Sequence, residues 1–491
     1  MKLLDICKKA NIKCPSHLEK VEVEGISSRS CEIKENYVFV CLKGTKADGH
    51  NYIDAAILKG AVAVVIEKNN FSCENSILVD DTREALAKMM NIFCGEPTNK
   101  LKFIGITGTN GKTSVAAMLK NILDKTNHPN EVIGTLNCSF FSIINGDSKT
   151  NFTTPDPEEL YPMLQRIADG GIEFVVMEAS SHALKLQKLA PINFEIGIFT
   201  NLTEDHLDFH LNMEDYFNSK LHLFDKCKIG IINIDDKYGQ RITSLAPCKI
   251  KTCSIEQKSD FLAQSIQNFG EGGTRYKIKT DNDLIDVFCS VPGYFSVMNS
   301  MQAAICATLL NIDKNDIERS FKSFCGVKGR LEKSELFKGR GFAVFIDYAH
   351  TPDALLKVLN TINSLKKAEQ RTIVLFGCGG DREKQKRSVM GQIAMENADF
   401  VIITSDNPRN EKPNLIINDI MLGIVEKSNF AIIPDRKKAI EYAIATAEEG
   451  DIILLAGKGH ENYEINSLGK FHFDEREILQ EMYHKYYEKE K

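Results

Sequence analysis

The sequence lacks the cysteine spacing that a structural zinc site or a disulfide framework needs. Its 14 cysteines are scattered from Cys7 to Cys378, and no CxxC pair occurs. Zinc sites and small disulfide-linked domains depend on closely spaced cysteines. We therefore expect reduced thiols that serve as small core residues.

Long apolar runs are also missing. No run of about 18 uninterrupted apolar residues is present, which is the length that a membrane-spanning helix needs. Lysines interrupt the apolar residues of Met1 to Lys13, so this segment lacks the apolar core of a signal peptide. We expect no membrane span and a cytoplasmic protein.

Charge of one sign is not concentrated anywhere. The chain has 61 Lys and Arg residues against 67 Asp and Glu residues, for a formal net charge of −6. This balance gives no reason to expect nucleic acid or an anionic membrane as the partner. A small anionic ligand could still be bound locally.

What is present is enough material for several cores. The chain has 491 residues, of which 43% are apolar, and about 150 residues per domain predicts about three domains. Short β-branched runs alternate with helical patterns, which predicts α/β domains with right-handed crossovers. We expect an N-terminal α/β domain over 1–98, a central domain with a mainly parallel sheet over 99–328, and a Rossmann-like α/β domain over 329–491.

One segment predicts a phosphate-binding loop: residues 105–113 read GITGTNGKT, after a predicted strand and at the start of a predicted helix. Glycines let backbone N–H groups approach phosphate oxygens, and the helix N-terminus adds its positive dipole. Lys112 would meet the β- and γ-phosphates, and the Thr113 hydroxyl would bind Mg²⁺. Ile106 stands where the strict pattern GxxxxGK[ST] has glycine, which leaves open a simple turn that caps a helix.

A second predicted strand ends in Glu178, within the segment VVMEASSH. A carboxylate at the tip of a neighbouring strand is well placed to bind Mg²⁺. Taken alone, such a residue is more often a solvated strand end. Beside a phosphate loop it becomes a candidate metal ligand.

Seven segments in this order resemble the Mur ligases, three-domain enzymes that build the peptide of bacterial peptidoglycan. The segments are TGTNGKT (107–113), MEASSH (177–182), NLTEDHLDFH (201–210), DYAHTPDAL (347–355), GCGGDREKQKR (377–387), SDNPR (405–409) and AGKGHE (456–461). The last three are similar to those of the ligases that add the third residue of the peptide. The resemblance covers nearly the whole chain.

The resemblance implies a reaction and a role for each domain. Residues 1–98 would bind UDP-MurNAc-L-Ala-D-Glu, 99–328 would be a P-loop-type ATPase domain, and 329–491 would bind the incoming amino acid. ATP would phosphorylate the D-glutamyl carboxylate, and the amine would attack the resulting acyl phosphate. The enzyme would act as a monomer on small molecules.

The resemblance also implies the residues that carry the chemistry. Lys112, Glu178, His206 and Lys220 would be catalytic, and Mg²⁺ would be bound by Thr113, Glu178, His206 and Lys220. Lys220 matches the family's lysine that carries a CO₂-derived carbamate, as N6-carboxylysine. Without the resemblance, Lys220 would be predicted to be an ordinary lysine on a helix surface.

Two sets of binding residues follow from the same resemblance. ATP contacts are assigned to Gly108, Thr109, Asn110, Gly111, Lys112, Thr113, Ser114, Asn299, Arg330 and Asp347. Contacts to the UDP-linked precursor are assigned to Ile26, Ser28, Thr45, Lys46, Ala47, Thr153, Thr154, Ser180 and Lys188. Two positions depart from the family pattern, because Ser296 stands where Asn is usual and Lys188 where Arg is common. A lysine keeps the charge but loses the bidentate fork of arginine.

The added amino acid is predicted from DNPR, which resembles the diaminopimelate form of the motif. The residues assigned to this substrate are Arg382, Asp406, Asn407, Pro408, Arg409, Gly457 and Glu461. Diaminopimelate is a lysine with one further carboxylate, which matches the planar fork of Arg409. Glu461 would accept the distal ammonium.

Three alternatives stay open at this point. The chain could add L-lysine to the same precursor, with DNP serving only as a turn. Folylpolyglutamate synthases share the ATP domain, although DNPR and GKGHE are not expected in them. A regulator that hydrolyses ATP without ligation is the third, and it would need neither His206 nor Lys220.

Overall fold

The computed structural model describes residues 1–44, 47–67, 73–135, 153–280, 283–367, 369–425 and 428–488. Three sheets of four, nine and six strands and one two-stranded hairpin organise these residues. Each large sheet lies within one of the three predicted segments. In the described part of the chain, no helix has the length and apolar character needed to cross a membrane.

The N-terminal sheet is parallel, with its strands side by side in chain order. The strands are β1 (Gly25–Ser27), β2 (Tyr37–Val40), β3 (Ala61–Ile66) and β4 (Ser76–Leu78), and the helices are Leu3–Ala10, Ile53–Leu58 and Thr82–Phe93. Asp81 caps the last helix by accepting hydrogen bonds from the N–H groups of Arg83 and Glu84. Apolar residues of this helix share one core with the central helix Pro157–Asp169, which joins the two domains.

The central sheet runs in the order β13-β12-β11-β10-β9-β8-β5-β7-β6, and all neighbours from β6 to β11 are parallel. The last two strands in sequence, β12 and β13, form an antiparallel hairpin, and β12 also pairs antiparallel with β11. The strands are β5 (Lys102–Thr107), β6 (Asn130–Ile133), β7 (Phe174–Glu178), β8 (Phe194–Phe199), β9 (Cys227–Asn233), β10 (Lys249–Ser254), β11 (Phe261–Asn268), β12 (Thr274–Lys279) and β13 (Leu284–Cys289).

Helices cover this sheet on both faces, at Lys112–Lys125, Pro157–Asp169, Ser181–Lys185, Met213–Leu221, Lys237–Leu245, Tyr294–Leu309 and Lys314–Lys322. The helix that carries Asn299 begins at Tyr294. Helices Lys112–Lys125 and Tyr294–Leu309 pack against each other. This contact places Asn299 beside the phosphate loop.

The C-terminal sheet runs in the order β14-β15-β19-β16-β17-β18, and all strands except β14 are parallel. The strands are β14 (Glu332–Lys333), β15 (Ala343–Asp347), β16 (Thr372–Phe376), β17 (Phe400–Ile403), β18 (Phe430–Ile432) and β19 (Ile452–Ala456), followed in sequence by the hairpin β20 (Tyr463–Asn466) and β21 (Gly469–His472). The helices are Pro352–Leu365, Gln385–Asn397, Pro413–Met421, Arg436–Ala445 and Glu475–Tyr487.

The strand order of this sheet also predicts where a ligand would bind. Strand β19 is the last strand of this sheet in sequence but lies between β15 and β16, because the chain turns back after the edge strand β18 and creates a switch point in the strand order. Ligands of open α/β sheets bind beyond the carboxyl ends of the strands at such a switch point. The segments DYAH, GCGGD, SDNPR and GKGHE follow β15, β16, β17 and β19 and therefore meet at that edge.

A buried ion pair holds this edge together. Arg436 and Glu475 are both fully buried, and Arg436 Nε donates to Glu475 Oε1 at 2.9 Å. The same guanidinium donates to the carbonyl oxygens of Ser405 and Ala456 at 3.3 and 2.8 Å. Because these residues begin SDNPR and end β19, the pair fixes two of the site-bearing segments relative to each other.

Candidate active site

The phosphate loop, residues Gly108 to Gly111, connects β5 to helix Lys112–Lys125. Both glycines have positive φ, at 148° and 90°. A Cβ on Gly108 would lie 1.8 Å from Thr200 Oγ1, and one on Gly111 would lie 2.5 Å from Asn299 Oδ1. Larger residues are therefore excluded by conformation and by space.

Two lysines donate to the same carbonyl oxygen of this loop. Lys112 Nζ donates to Gly108 O at 2.8 Å and to Thr109 O at 2.9 Å. Lys220 Nζ donates to Gly108 O at 2.9 Å and lies 4.5 Å from the ring centroid of Tyr216. Burial lowers the pKa of Lys220 well below its usual value, and the charge of Lys112 adds to this effect.

Lys220 is only 1% exposed, so the expectation of an ordinary surface lysine is wrong. Its helix turns the residue inward, against the loop. Without the resemblance, no signal in the sequence marks this orientation, because a lysine within a mixed polar helix usually faces solvent.

Glu178, at the end of β7, is completely buried and faces the start of the loop helix. Thr113 Oγ1 donates to its Oε2 at 3.1 Å, as does Thr135 Oγ1, while Thr135 N donates to Oε1 at 2.9 Å. Carboxylate and hydroxyl oxygens are the hard ligands that Mg²⁺ prefers. The donor set of Thr113 and Glu178 therefore fits the predicted metal.

His206 lies on the other side of the loop, in a left-handed backbone conformation with φ of 58°. Its Nε2 lies 3.5 Å from Asp205 Oδ2, and its ring centroid lies 5.1 Å from that of His182. The His206 side chain is 41% exposed, so a ligand in the cleft can reach it. Burial lowers the pKa of His182 to about 4, which keeps this neighbouring ring neutral.

The C-terminal domain reaches the phosphate loop through Arg330, whose Nη2 donates to Thr113 Oγ1 at 3.2 Å. Asp347, at the end of β15, accepts a hydrogen bond from Leu331 N at 2.6 Å and so holds the arginine's segment in place. Burial raises the pKa of Asp347 to about 6. Two residues assigned to ATP on the third domain therefore lie on the loop side of that domain.

Asp353, to which the sequence assigned no role, also crosses between the domains. Its Oδ2 accepts hydrogen bonds from Asn110 Nδ2 at 2.9 Å, from Thr203 Oγ1 at 3.2 Å and from Lys357 Nζ at 2.9 Å. Asn110 is part of the phosphate loop. The position of Asp353 in the first turn of a helix at the switch-point edge, after Thr-Pro, is the signal that could have suggested it.

A cavity of about 500 Å³ adjoins the loop, and Asn299 is one of its lining residues. Phe295, Val297 and Met298 give it apolar walls, which suits a flat aromatic base. Ser296 is buried instead, and its Oγ donates to Pro292 O at 3.0 Å. Serine in place of asparagine at this position therefore satisfies its hydroxyl by a hydrogen bond at the start of the helix.

A second cavity, of about 480 Å³, lies between the N-terminal and central domains and includes Ser28, Ala47 and Lys188. Ser28 Oγ donates to Glu158 Oε1 at 2.6 Å, and Lys188 Nζ lies 2.7 Å from Asp156 Oδ1. Three assigned precursor residues thus line one cleft.

The remaining precursor residues fall in different places. Ile26 is buried in the core of the N-terminal domain, so its side chain packs and only its backbone could meet a ligand. Thr154 Oγ1 donates to Glu178 O at 2.8 Å and lies 3.1 Å from Ser180 Oγ, with Thr153 beside it in sequence. Thr45 and Lys46 lie outside the described residues. Arg29 and Arg83, which the sequence did not suggest, add two cations to the cavity.

The residues assigned to the amino acid lie at the switch-point edge of the C-terminal sheet. Asn407 Nδ2 donates to Glu461 Oε2 at 2.8 Å, and Arg409 Nη1 donates to Gly380 O at 2.8 Å. Gly457 has φ of 114°, and a Cβ there would lie 2.6 Å from Asp406 Oδ2. Burial raises the pKa of Glu461, and the charge of Asp406 adds to this shift.

Arg382 and Arg409 flank the same glycine. A Cβ on Gly379 would lie 2.7 Å from Arg409 Nη1 and 3.7 Å from Arg382 Cγ. Arg382 Nη1 also lies 4.0 Å from Asp208 Oδ2 of the central domain. The two arginines thus stand together at the face that the C-terminal domain turns toward the phosphate loop, with Pro408 between Asn407 and Arg409.

Comparison with known proteins shows which family this chain belongs to. Three family models match the chain: the Mur ligase family, catalytic domain, at residues 22–94; the Mur ligase middle domain at 106–307; and the Mur ligase, glutamate ligase domain, at 329–459. A UDP-N-acetylmuramoyl-L-alanyl-D-glutamate–2,6-diaminopimelate ligase of Clostridium perfringens is 42% identical over 470 residues, which cover 94% of this chain and 95% of that relative. The chain belongs to the Mur ligase family.

Solved structures agree with this family at the level of fold. A structure of a UDP-N-acetylmuramoyl-L-alanyl-D-glutamate–2,6-diaminopimelate ligase is 29% identical, with a TM-score of 0.70 over 99% of both chains. The MurF ligase from Thermotoga maritima in complex with ADP is 19% identical, with a TM-score of 0.61 over 96% of this chain and 99% of that one. The predicted family and the three-domain α/β fold of a Mur ligase are confirmed.

The contacts of Asp353 lead to a prediction about this Mur ligase. Asp353→Ala removes two hydrogen bonds between the C-terminal domain and the central domain, one of them to the phosphate loop. Hydrogen bonds to a charged group are worth about 1.5–3 kcal/mol each, so we expect kcat/KM for ATP to fall at least tenfold. Initial rates of phosphate release at varied ATP measure it.

The matched control is Glu335→Ala, which removes an exposed pair with Lys338 inside the C-terminal domain. We expect this variant to stay within twofold of the wild type, in line with the small worth of exposed pairs. Equal rates for the wild type and Asp353→Ala would show that the contact between the domains is not used in turnover.

Proposed function

We propose that this Mur ligase joins meso-2,6-diaminopimelate to the D-glutamyl carboxylate of UDP-MurNAc-L-Ala-D-Glu, with hydrolysis of ATP to ADP and phosphate. The observation that carries the proposal is the set of three buried residues, Asp406, Asn407 and Glu461, beside the half-buried Arg409 at the edge that faces the phosphate loop. The relative from Clostridium perfringens, which this chain resembles over nearly its full length, is named for this activity.

The first step is activation of the carboxylate, because oxide is a poor leaving group. The γ-phosphoryl of ATP passes to a carboxylate oxygen, which gives an acyl phosphate and ADP. The amine nitrogen then attacks the carbonyl carbon and forms the C–N bond of the amide. The C–O bond to the phosphate breaks, phosphate leaves, and the nitrogen loses a proton. Crowded anions need neutralisation during both steps, and Lys112 and Arg330 supply fixed positive charge beside the loop.

Mg²⁺ fits this site through the hydroxyl of Thr113 and the carboxylate of Glu178, as described above. When bound, it supplies further neutralisation of the phosphate charges. In the chain itself, Thr135 and Thr113 orient the Glu178 carboxylate by three hydrogen bonds. His206 is the proposed ligand for a second magnesium near the acceptor.

Lys220 is proposed to react with CO₂ and form a carbamate. Burial and the nearby Lys112 favour its neutral amine, which is the form that attacks CO₂. The N–C bond forms, one proton is released, and the side chain becomes an anion. This change places an anion beside the Lys112 cation at Gly108 O, and it provides oxygen atoms that can bind metal.

Selection of the amine rests on charge complementarity. Arg409 would pair with the carboxylate that distinguishes diaminopimelate from lysine, and Glu461 would accept the distal ammonium. With lysine bound, the guanidinium would lose its partner in a desolvated pocket, which costs several kcal/mol in comparable sites, on the order of 3–5. We further propose that the protein works in the cytoplasm as a monomer on small-molecule substrates.

The proposal predicts a strong preference between two amines. We expect phosphate release with ATP, Mg²⁺ and UDP-MurNAc-L-Ala-D-Glu to be at least about 100-fold more efficient with meso-diaminopimelate than with L-lysine, from the cost of an unpaired cation. Arg409→Met should lower kcat/KM for diaminopimelate and narrow this preference.

Arg319→Met serves as the control, because Arg319 is 72% exposed and pairs with Asp316 on the same helix. If the wild type prefers lysine, the proposed ligase activity stands, but the role proposed for Arg409 is contradicted. No phosphate release with either amine would favour an ATP-hydrolysing regulator.

The carbamate predicts chemical rescue. Lys220→Ala should lose most activity and recover part of it when short carboxylic acids are added, because these can take the place of the carbamate oxygens. The control is Lys226→Ala, since burial also lowers the pKa of Lys226 but its Nζ donates to Ala190 O, away from the loop. Full activity of Lys220→Ala without added acids would show that Lys220 is not needed for the reaction.

A further inference from the structure

Lys458 is a fully buried cation beside the amino-acid site. Its Nζ donates to Asn407 Oδ1 at 3.1 Å and to Tyr463 O at 2.9 Å. A buried ammonium is costly unless its N–H groups are paired. The roles proposed above do not account for why the chain keeps a charge here.

The first consequence of these contacts is a fixed orientation of the Asn407 amide. Its Oδ1 accepts a second hydrogen bond, from Ile465 N at 2.9 Å. If the amide turned over, its NH₂ group would face two donors, Lys458 Nζ and Ile465 N. Lys458 and Ile465 together therefore force Nδ2 to point the other way.

The second consequence is a fixed position of Glu461. Asn407 Nδ2 donates to Glu461 Oε2 at 2.8 Å. On the other carboxylate oxygen, Oε1, the hydroxyl of Tyr463 lies at 3.3 Å and that of Tyr348 at 3.5 Å. Glu461 is thus held by three neutral donors, and the shortest of these contacts, from Asn407, is controlled by Lys458.

We propose that Lys458 is a specificity-determining positioning residue, which acts through Asn407 to hold the Glu461 carboxylate where the distal ammonium of the amino substrate binds. The inference rests on the proposed function, because it concerns the same amine site. Lys458 itself does not touch the substrate. Buried polar networks of this kind depend on every member being paired.

The network predicts an effect confined to one substrate. Without the Lys458 ammonium, Asn407 Oδ1 keeps only the Ile465 N–H, and the amide can rotate away from Glu461. Binding of the amine then weakens, whereas ATP and the UDP-linked precursor bind elsewhere and are unaffected. A residue that served only stability would instead lower the amount of active enzyme and leave each KM unchanged.

Three variants of the full chain test this in the phosphate-release assay. Lys458→Met removes the donors, and we expect KM for meso-diaminopimelate to rise about 10- to 100-fold, the range for one hydrogen bond to a charged group. KM for ATP should stay within about twofold. Lys458→Gln keeps two N–H donors, so it should recover most of the loss. Lys437→Met is the control, since Lys437 pairs with Glu481 in an exposed position.

A double-mutant cycle tests the route through Asn407. Asn407→Leu alone should raise the KM for meso-diaminopimelate as much as Lys458→Met, and the double variant should add no more than about twofold. Additive effects would overturn the proposal, as would an unchanged KM in Lys458→Met. If Lys458→Met does not fold, the other two variants test the proposal. An unchanged KM for meso-diaminopimelate in Asn407→Leu would contradict it, and so would a large rise of this KM in Lys458→Gln.

The outcomes also separate the two proposals. A wild-type enzyme that releases no phosphate with meso-diaminopimelate contradicts the proposed function. A wild-type enzyme that is active, with variants whose KM for the amine does not change, contradicts only the role of Lys458.

Discussion

The side-chain nitrogens of Lys112 and Lys220 share the carbonyl oxygen of Gly108, and this shared contact constrains the rest of the active site. Cations that are close together and out of water repel each other and are poorly solvated. The loop can hold them only if anions arrive, or if one lysine gives up its charge. Bound phosphates would supply the first solution, and the proposed carbamate on Lys220 would supply the second. The buried anion Glu178 and the glycines of the loop fit the same requirement, because they leave room for phosphate oxygens and metal.

The same constraint explains why a third domain is needed. Phosphates at the loop carry more charge than Lys112 alone can offset, and Arg330 brings another cation from the C-terminal domain to Thr113. Asp353 holds that domain on the loop through Asn110 and Thr203. The proposed amine site lies on the same edge of the C-terminal sheet. Contact between the domains therefore brings charge neutralisation and the nucleophile to the carboxylate together.

Much of the fold could be predicted because it depends on local signals. Buried parallel strands read as β-branched runs, and the phosphate loop, DNPR and GKGHE fall at strand ends where ligands bind. Short elements such as β6, β18 and the hairpin β20–β21 could not be predicted one by one, since three or four residues give too little periodicity to distinguish a strand from a loop.

Residues whose role depends on tertiary contacts could not be predicted from the chain alone. The inward direction of Lys220 depends on how its helix packs, and the family resemblance was needed to single it out. Asp353 and Lys458 act through partners about 50 to 250 residues away in sequence. The Ser296 departure looked like a lost contact, yet the side chain is buried against Pro292. Ile26 lies in the core, so its assigned contact can involve only the backbone.

In the proposed mechanism, charge gathered at the phosphate loop activates a carboxylate by phosphorylation before the amine attacks. The most direct measurement uses UDP-MurNAc-L-Ala-D-Glu labelled with ¹⁸O in the D-glutamyl carboxylate, with mass analysis of the phosphate released in the presence of meso-diaminopimelate. Transfer of one labelled oxygen to each phosphate is the predicted result. Unlabelled phosphate, released at the same rate as product, would contradict phosphorylation of the carboxylate before attack by the amine.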